Sequence, residues 1–396
     1  MKRYNLVSSS AYKVHYFLLL GFVAFSLFSF SPYLKKIIYI VYFFSTIFLF
    51  IRHRVVLGAF EKATLVILFF YPVVSSAALY INHQNESPIA YLSQYIMTLF
   101  FILSANFLYK DYLKIVDIIM SIILLISIVL LTLNVFLLLD IGTYNIHQIF
   151  SGVKGVIIDE YVGMRPAYQP IVAKIYFITT LLFVVSGVYY LFMSRIQTSL
   201  LILLALLVLG SRWTVITMLM FYFIYFLWYS NLKNRILMLI YFLVIVFLLI
   251  WLYPNLIERV FLSLDFGKAS SGISIRDIIV SEVFNDLNAF SFLFGSGSGS
   301  SFYSDFRSSY VMNTEVSHVE LIRRFGIIWF ISFNLYLIYV LTELKRCNLR
   351  KTDAILMSVV AFYISSLSNP VLMHPIFILL VIFSGVFARN YNFSTK

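Results

Sequence analysis

Long apolar runs alternate with short polar segments along almost the whole chain. A membrane-spanning helix needs about 20 apolar residues at a rise of about 1.5 Å per residue. The predicted spans are 14–31, 36–51, 63–82, 89–108, 115–138, 171–192, 197–210, 213–230, 236–253, 326–344, 354–367 and 376–388. The pattern therefore predicts an all-α integral membrane protein of about 12 transmembrane helices, with residues 1–396 forming a single polytopic membrane domain.

The stretch LVLGSRWTV at residues 207–215 interrupts a long apolar run. As one helix, residues 197–230 would extend about 51 Å, which far exceeds a hydrocarbon core of about 30 Å. We therefore expect a hairpin of two spans that turns at Gly210, Ser211 and Arg212.

Basic residues are concentrated on one side of this predicted topology. With the N-terminus inside, the whole formal net charge of +12 falls on the cytoplasmic side, in segments such as RHR at 52–54 and KRCNLRK at 345–351. This distribution follows the positive-inside rule and predicts that both termini are cytoplasmic. The charge is thereby explained by topology, so membrane lipids and no nucleic acid are the expected partners.

Composition agrees with this interpretation and narrows the chemistry. The 396 residues are 62% hydrophobic and 12% charged, with 41 Phe and 29 Tyr, whereas soluble domains are about a quarter charged. A single cysteine, Cys347, excludes a disulfide framework and a cysteine-ligated metal site. His147, His318 and His374 show no ligand spacing, and D-x-D is absent, so no metal or other cofactor is predicted.

Two predicted external segments are long, residues 139–170 and residues 254–325. Long connections of this kind are usually functional. The predicted helix centres carry almost no charge, whereas transporters often have buried charges near the membrane midplane. We therefore expect any chemistry on the external face.

The approach to the tenth span, SHVELIRRFG at 317–326, is unusually polar. Ser317 and Glu320 fit a capping box, and Glu320 has Arg323 and Arg324 at the i+3 and i+4 positions that favour helix ion pairs. The two arginines could instead extend to lipid headgroups. His318 differs, because an imidazole in the first turn at the membrane surface could accept a proton from a hydroxyl nucleophile.

Three further external arginines are candidates for binding an anion: Arg165, Arg212 and Arg276. Arginine captures phosphate oxygens in a bidentate manner, so together they could hold a diphosphate and stabilise it as a leaving group. Anchoring to headgroups is the alternative. The glycine-rich stretch FLFGSGSGSSFYS at 292–304 lacks the ending of a P-loop, and its amides could form an anion nest or a flexible loop.

In this order, these residues resemble the O-antigen polymerase and O-antigen ligase superfamily. Its marks are an arginine at the outer end of the seventh helix, an arginine in the large loop, a glycine element, and a histidine that opens the tenth helix with a glycine eight residues on. They match Arg212, Arg276, the segment LFGSGSGS at 293–300 with Gly295, Gly297 and Gly299, and His318 with Gly326. Family members often have a second glycine where this chain has Trp329, and Arg165 matches only loosely.

The resemblance implies a metal-independent membrane glycosyltransferase with GT-C-like architecture in the bacterial inner membrane and a lipid-linked donor. A polymerase of this family transfers a glycan from undecaprenyl diphosphate to the non-reducing end of a lipid-linked repeat unit in the periplasm. Arg212, Arg276 and Arg165 would then bind the diphosphate, with Gly295, Gly297, Gly299, Arg323 and Arg324 as further candidates. His318, or alternatively Glu320, would remove the proton from the acceptor, and a chain-length regulator is an expected partner.

Two other functions stay open. An O-antigen ligase would use the same chemistry with lipid A core as the acceptor, and the many Tyr and Phe residues and the charged HVELIRRFG favour the polymerase. A polysaccharide flippase or exporter would need charged residues along a transmembrane path.

Overall fold

The computed structural model describes residues 10–27, 32–53, 57–81, 89–138, 156–158, 175–177, 181–209, 212–252, 277–311, 314, 316–368 and 372–394. Helices dominate, and two short antiparallel strand pairs accompany them. In chain order the elements are α1 (Ser10–Leu27), α2 (Pro32–His53), α3 (Ala59–Leu65), α4 (Tyr71–Ile81), α5 (Ile89–Leu108), α6 (Tyr112–Leu138), β1 (Val156–Ile158), β2 (Ile175–Phe177), α7 (Leu181–Phe192), α8 (Ile196–Leu209), α9 (Arg212–Ile224), α10 (Leu232–Leu252), α11 (277–286), α12 (Ala289–Phe294), β3 (Phe302–Ser304), β4 (Ser309–Val311), α13 (Ser317–Arg346), α14 (Arg350–Ser365) and α15 (Pro375–Ser394).

Four stretches of the described chain are long and apolar enough to cross a membrane. They are Ala59–Ala77, Tyr95–Leu133, Ser317–Arg346 and Pro375–Phe393. Three shorter apolar helices cover Leu181–Phe192, Ile196–Leu207 and Trp213–Tyr229. The predicted class, a predominantly helical membrane protein, is confirmed at this level, and the count of 12 spans stays a prediction.

The predicted sixth span, 171–192, is wrong at its beginning. Residues Ile175–Phe177 form β2, which pairs antiparallel with β1, and the helix begins only at Leu181. The segment IVAKIYFITT at 171–180 is rich in β-branched residues, which favour strands over helices. Its apolar character alone therefore gave the wrong element type.

The predicted folding back of the chain within 197–230 is confirmed, and the predicted turn residues Gly210 and Ser211 lie outside the described residues. Helix α8 ends at Leu209 and α9 begins at Arg212. The hydroxyl of Tyr222 on α9 donates to Ser199 Oγ on α8 at 2.8 Å, and Ser199 Oγ donates to the carbonyl of Gly187 on α7 at 2.8 Å. Ser199 and Tyr222 lie ten residues from Leu209 and Arg212 respectively, as expected for two helices that fold back on each other.

The chain forms two compact units, one of residues Met1–Ile122 with Ile279–Lys396 and the other of Ile123–Ile278. The first unit contains the glycine-rich segment and the polar first part of α13. The second contains Arg212.

Buried polar groups of α1, α2 and α5 in the first unit are paired between these helices. His15 on α1 has its Nδ1 3.0 Å from Ser45 Oγ of α2 and its Nε2 3.0 Å from Ser104 Oγ of α5. The Tyr42 hydroxyl lies 2.6 Å from the same Ser104 oxygen. Hydrogen bonds of this kind hold apolar helices in register where hydrophobic surface alone does not discriminate between neighbours.

Two ion pairs join distant parts of the first unit. Arg389 Nη1 lies 2.7 Å from Glu61 Oε2, and Lys351 Nζ lies 2.5 Å from Asp117 Oδ2. All four residues belong to segments for which the sequence predicts the same, cytoplasmic, side. The packing of the first unit is therefore consistent with the predicted order of its helices.

Candidate functional site

Helix α13 is broken at Gly326, the glycine that follows His318 by eight residues. Gly326 has φ 80° and ψ 165°, whereas the residues on both sides are helical. This region of backbone conformation is open essentially to glycine alone. A short polar segment, residues 317–325, is thereby separated from the apolar remainder of the helix.

The glycine-rich segment lies directly on this break. The amide of Ser296 donates to the carbonyl of Arg323 at 2.8 Å, and the amide of Gly297 donates to the carbonyl of Arg324 at 2.9 Å. These carbonyls precede the break, where a helix leaves its last acceptors without intrahelical partners. The glycine-rich segment satisfies them and so acts as the cap of the first part of α13.

Two glycines allow the two backbones to cross. A Cβ on Gly326 would lie 2.2 Å from the carbonyl oxygen of Leu293, and a Cβ on Gly295 would lie 2.3 Å from the carbonyl oxygen of Arg324. Both positions have positive φ, 80° and 87°. Any side chain at either position would force the backbones apart, because the obstructing atoms are themselves backbone.

The sequence predicts either an anion nest or a flexible loop for the glycine-rich segment. The hydrogen bonds and the burial of its glycines bear on both alternatives. The amide of Gly295 donates to the carbonyl of Ser291 at 2.8 Å and that of Gly297 donates within the crossing. Gly297 and Gly299 are buried. Two of the three candidate glycine amides thus serve the fold, and the segment is a packed support.

Glu320 is the centre of a buried ion cluster. Arg323 donates from Nη2 to Glu320 Oε1 at 2.8 Å and from Nε to Oε2 at 3.2 Å, and Arg324 donates from Nε to Oε1. Glu320 is 4% exposed and Arg323 1% exposed. The predicted i+3 and i+4 pairs are confirmed, and the alternative that Arg323 reaches lipid headgroups is wrong because its side chain is enclosed by protein.

Arg323 also ties the cluster to the glycine-rich segment. Its Nη1 donates to the carbonyl oxygen of Ser300 at 2.7 Å and to Ser300 Oγ at 2.6 Å. The guanidinium lies 5.5 Å from the ring centroid of Phe302 in β3. All three of its nitrogens are thus engaged within the protein, which favours a structural role over the predicted role in binding a diphosphate.

The predicted capping box at Ser317 is wrong. The N-cap position is Val316, without a side-chain cap, and Ser317 Oγ accepts from the amide of Leu372 at 3.3 Å. Glu320 Oε2 accepts from the amide of Thr314 at 3.1 Å instead of from the cap residue. Two neighbouring guanidinium groups attract the carboxylate more strongly than a single cap amide does, so Glu320 is drawn towards them.

Trp329 stands at a position where members of the family that this sequence resembles often have glycine. Residues Val66–Phe70 form a π-helical turn in which the amide of Tyr71 donates to Val66. Pro72 has no amide hydrogen, so the carbonyl of Ile67 is left without a helical donor. Trp329 Nε1 donates to that carbonyl at 2.6 Å, and this contact joins the second part of α13 to the turn between α3 and α4.

Helices α4 and α5 hold the crossing from the other side. The hydroxyl of Tyr71 donates to the carbonyl of Phe294 at 3.1 Å, and Ser75 Oγ donates to the carbonyl of Arg324 at 3.2 Å. The hydroxyl of Tyr95, on α5, is hydrogen-bonded to Ser298 Oγ. Tyrosines are abundant in this sequence, so nothing in it marks Tyr71 or Tyr95 as part of this region.

His318 differs from its charged neighbours. Its ring packs edge-on against Tyr363 and Phe330, with centroids 4.7 and 5.7 Å away. Both ring nitrogens are shielded from solvent, and neither has a hydrogen-bond partner within the part of the chain that the structure describes. Such unpaired buried nitrogens are uncommon in folded proteins and call for an explanation, which makes His318 the candidate for function among these residues.

The remaining candidates belong to the second unit or fall outside the described residues. Arg212 is the first residue of α9 in the second unit, and its side chain is not among those described. Arg165 and Arg276 fall outside the described residues. The structure therefore brings together Gly295, Gly326 and the ion cluster, and the three predicted diphosphate-binding arginines stay predictions.

No protein-family model, curated protein or solved structure matches this chain.

Proposed function

We propose that this chain is a membrane-embedded glycosyltransferase of the O-antigen polymerase type in the bacterial inner membrane. It transfers a glycan from undecaprenyl diphosphate to the non-reducing end of a lipid-linked repeat unit on the periplasmic side. The observation that carries the proposal is the state of His318, whose two buried ring nitrogens have no hydrogen-bond partner among the described residues. A general base requires such a nitrogen within reach of a hydroxyl.

In the proposed reaction one proton is transferred and one leaving group departs. The acceptor hydroxyl gives its proton to a ring nitrogen of His318, and its oxygen forms a bond to the anomeric carbon of the donor. The bond from that carbon to the diphosphate oxygen breaks, and undecaprenyl diphosphate leaves with the electron pair. Arg212, Arg276 and Arg165 are assigned to the diphosphate, since guanidinium groups stabilise its developing charge.

Glu320 and Arg323 are assigned to support and not to the reaction. The carboxylate of Glu320 accepts from both neighbouring arginines and from the amide of Thr314. A carboxylate engaged in this way is a poor proton acceptor, because the paired charges favour its ionised form. This arrangement supports His318 over Glu320 as the base.

The first test is the lipopolysaccharide banding pattern of a bacterial strain that lacks this gene, complemented with the wild-type gene or with Arg276→Ala. We expect the deletion to leave core that bears a single repeat unit, with no ladder, and the wild-type gene to restore the ladder. Arg276→Ala should restore almost none, at equal protein level in the membrane, because the leaving group loses its counter-charge.

Other patterns would contradict the proposal in distinct ways. Bare core with long glycan still on the lipid carrier would identify a ligase. An unchanged ladder in the deletion strain would exclude both transferases. A full ladder with Arg276→Ala would remove this arginine from the diphosphate site.

A further inference from the structure

Helix α12 presents an apolar face that is exposed among the described residues of the first unit. Phe290 is 70% exposed, Phe294 43% and Leu293 39%. The rings of Phe290 and Phe294 pack against each other with centroids 5.1 Å apart. A cluster of this kind on a surface marks contact with another apolar phase or partner.

A hydrogen bond to α4 fixes the position of α12 along the helical stretch that α3 and α4 form. The hydroxyl of Tyr71 donates to the carbonyl of Phe294 at 3.1 Å. Tyr71 lies ten residues before Ile81, the end of α4, which corresponds to about 15 Å of helix. Helical side chains tilt towards the N-terminal end of their helix. The hydroxyl of Tyr71 therefore lies at least as far from Ile81 as the backbone of Tyr71 does.

The stretch from Ala59 to Ala77 is one of those long and apolar enough to cross a membrane. The helical residues from Ala59 to Ile81 together extend about 34 Å. This length is close to the thickness of a hydrocarbon core, about 30 Å. Phe294 is therefore level with the middle of a stretch that is long and apolar enough to cross a membrane. The exposed face of α12 lies at the same level.

The exposed surface of the same stretch is apolar and regularly spaced. Val66, Phe70 and Val74 are 56%, 52% and 63% exposed. At intervals of four residues they form one stripe along the helix, and Tyr71, which follows Phe70, carries α12. The exposed face of α12 thus lies beside an exposed apolar stripe of a stretch that is long and apolar enough to cross a membrane.

The backbone of α12 is suited to such a position. Non-helical backbone is tolerated at membrane depth only where protein or water satisfies its polar groups. The side chain of Asn288 accepts from the amide of Ser291 at the start of α12, at 2.8 Å. At its end, the amides of Gly295, Ser296 and Gly297 all donate to carbonyls of the protein.

We infer that α12 is a re-entrant helix, inserted among the acyl chains of the membrane leaflet on the predicted external side, with Phe290, Leu293 and Phe294 in contact with lipid. The glycine-rich segment that follows it then lies below the membrane surface. This inference uses only the spanning stretch and the hydrogen bonds described above, so it stands or fails independently of the transferase proposal.

Nitroxide labels can measure the surroundings of this face directly. In a full-length Cys347→Ser background, Phe290→Cys and Phe294→Cys are each labelled in phospholipid vesicles. Leu335→Cys, at a position 62% exposed on the apolar part of α13, is the lipid reference. Lys114→Cys, whose native side chain is 76% exposed, is the aqueous reference. Collisions with oxygen report on lipid, and collisions with a water-soluble nickel chelate report on water.

We expect the labels at 290 and 294 to resemble the label at 335, with frequent oxygen collisions and several-fold fewer nickel collisions than at 114. Nickel collisions as frequent as at 114 would overturn the inference in favour of an aqueous surface. Few collisions with either reagent would overturn it in favour of a protein cover, and dipolar broadening between labels would then identify a second copy of this chain. Unchanged elution of each variant in detergent shows that the exposed substitutions preserve the fold.

Discussion

Replacing Gly326 by alanine is expected to separate the glycine-rich segment from α13. The new Cβ would lie 2.2 Å from the carbonyl oxygen of Leu293, and φ 80° with ψ 165° is strained for alanine. The strain costs about 1–3 kcal/mol, and the two hydrogen bonds to the carbonyls of Arg323 and Arg324 add about 0.5–1.5 kcal/mol each. We expect the free energy of unfolding to fall by roughly 2–6 kcal/mol, measured as a lower apparent melting temperature in detergent.

Gly21 provides a matched control for this substitution. In Gly21→Ala the nearest atom to the new Cβ is Ile38 Cγ2 at 3.8 Å, an ordinary contact. Alanine is the better helix former by about 1 kcal/mol, so this variant should melt at or above the wild-type temperature. If Gly326→Ala also melted at the wild-type temperature, the crossing of the two backbones would not exist in the folded protein.

Replacing Glu320 by glutamine is expected to destabilise the protein strongly. Arg323, which is 1% exposed, would keep its positive charge in the interior without a counter-charge on the side chain that now faces it. Breaking a buried ion pair by removing one partner costs about 3–5 kcal/mol. The apparent melting temperature should therefore fall, with loss of activity as a consequence of unfolding.

A double-variant cycle separates this structural role from a catalytic one. Adding Arg323→Met to Glu320→Gln removes the stranded charge and should recover part of the stability, with a coupling energy of about 0.5–3 kcal/mol. The exposed pair of Lys345 and Asp353, at 3.0 Å, supplies the control, since Asp353→Asn should cost only about 0–1 kcal/mol. Wild-type stability together with lost activity in Glu320→Gln would instead make Glu320 the base.

Local spacing predicted the features of the fold and of the site that arise within a few residues along the chain. The i+3 and i+4 positions of Arg323 and Arg324 predicted their pairing with Glu320, and the motif Gly210, Ser211 and Arg212 predicted the break between α8 and α9. Both features arise within a few residues along the chain, where helical geometry alone determines which side chains meet.

Features that depend on tertiary contact could not be predicted in this way. Gly295 and Gly326 belong to two separate motifs of the sequence. Nothing in either motif indicates that the backbones at these two positions cross. The bond from Trp329 to Ile67 depends on a π-helical turn ahead of Pro72. The failed capping box has the same origin, because an amide at Thr314 and two guanidinium groups compete for the carboxylate of Glu320.

The supporting ion cluster and the proposed reactive group, His318, are thus carried by different residues of one helix. The ion cluster and the crossing glycines are engaged within the protein, whereas the His318 nitrogens have no partner among the described residues. Such a group costs free energy, because a buried polar atom without a hydrogen bond is unfavourable. Retaining a residue of this kind is typical of functional sites, where stability is reduced for activity.

The most direct test of this account is to measure stability and polymer formation together for His318→Leu. Leucine has a similar volume and no unpaired nitrogens, so the variant should melt at or above the wild-type temperature. Its lipopolysaccharide ladder should be lost, with a rate reduced about 10²–10⁴-fold, as expected for removal of a general base. A wild-type ladder from this variant would contradict the assignment of His318, and a melting temperature as low as that of Gly326→Ala would show that the histidine supports the fold instead.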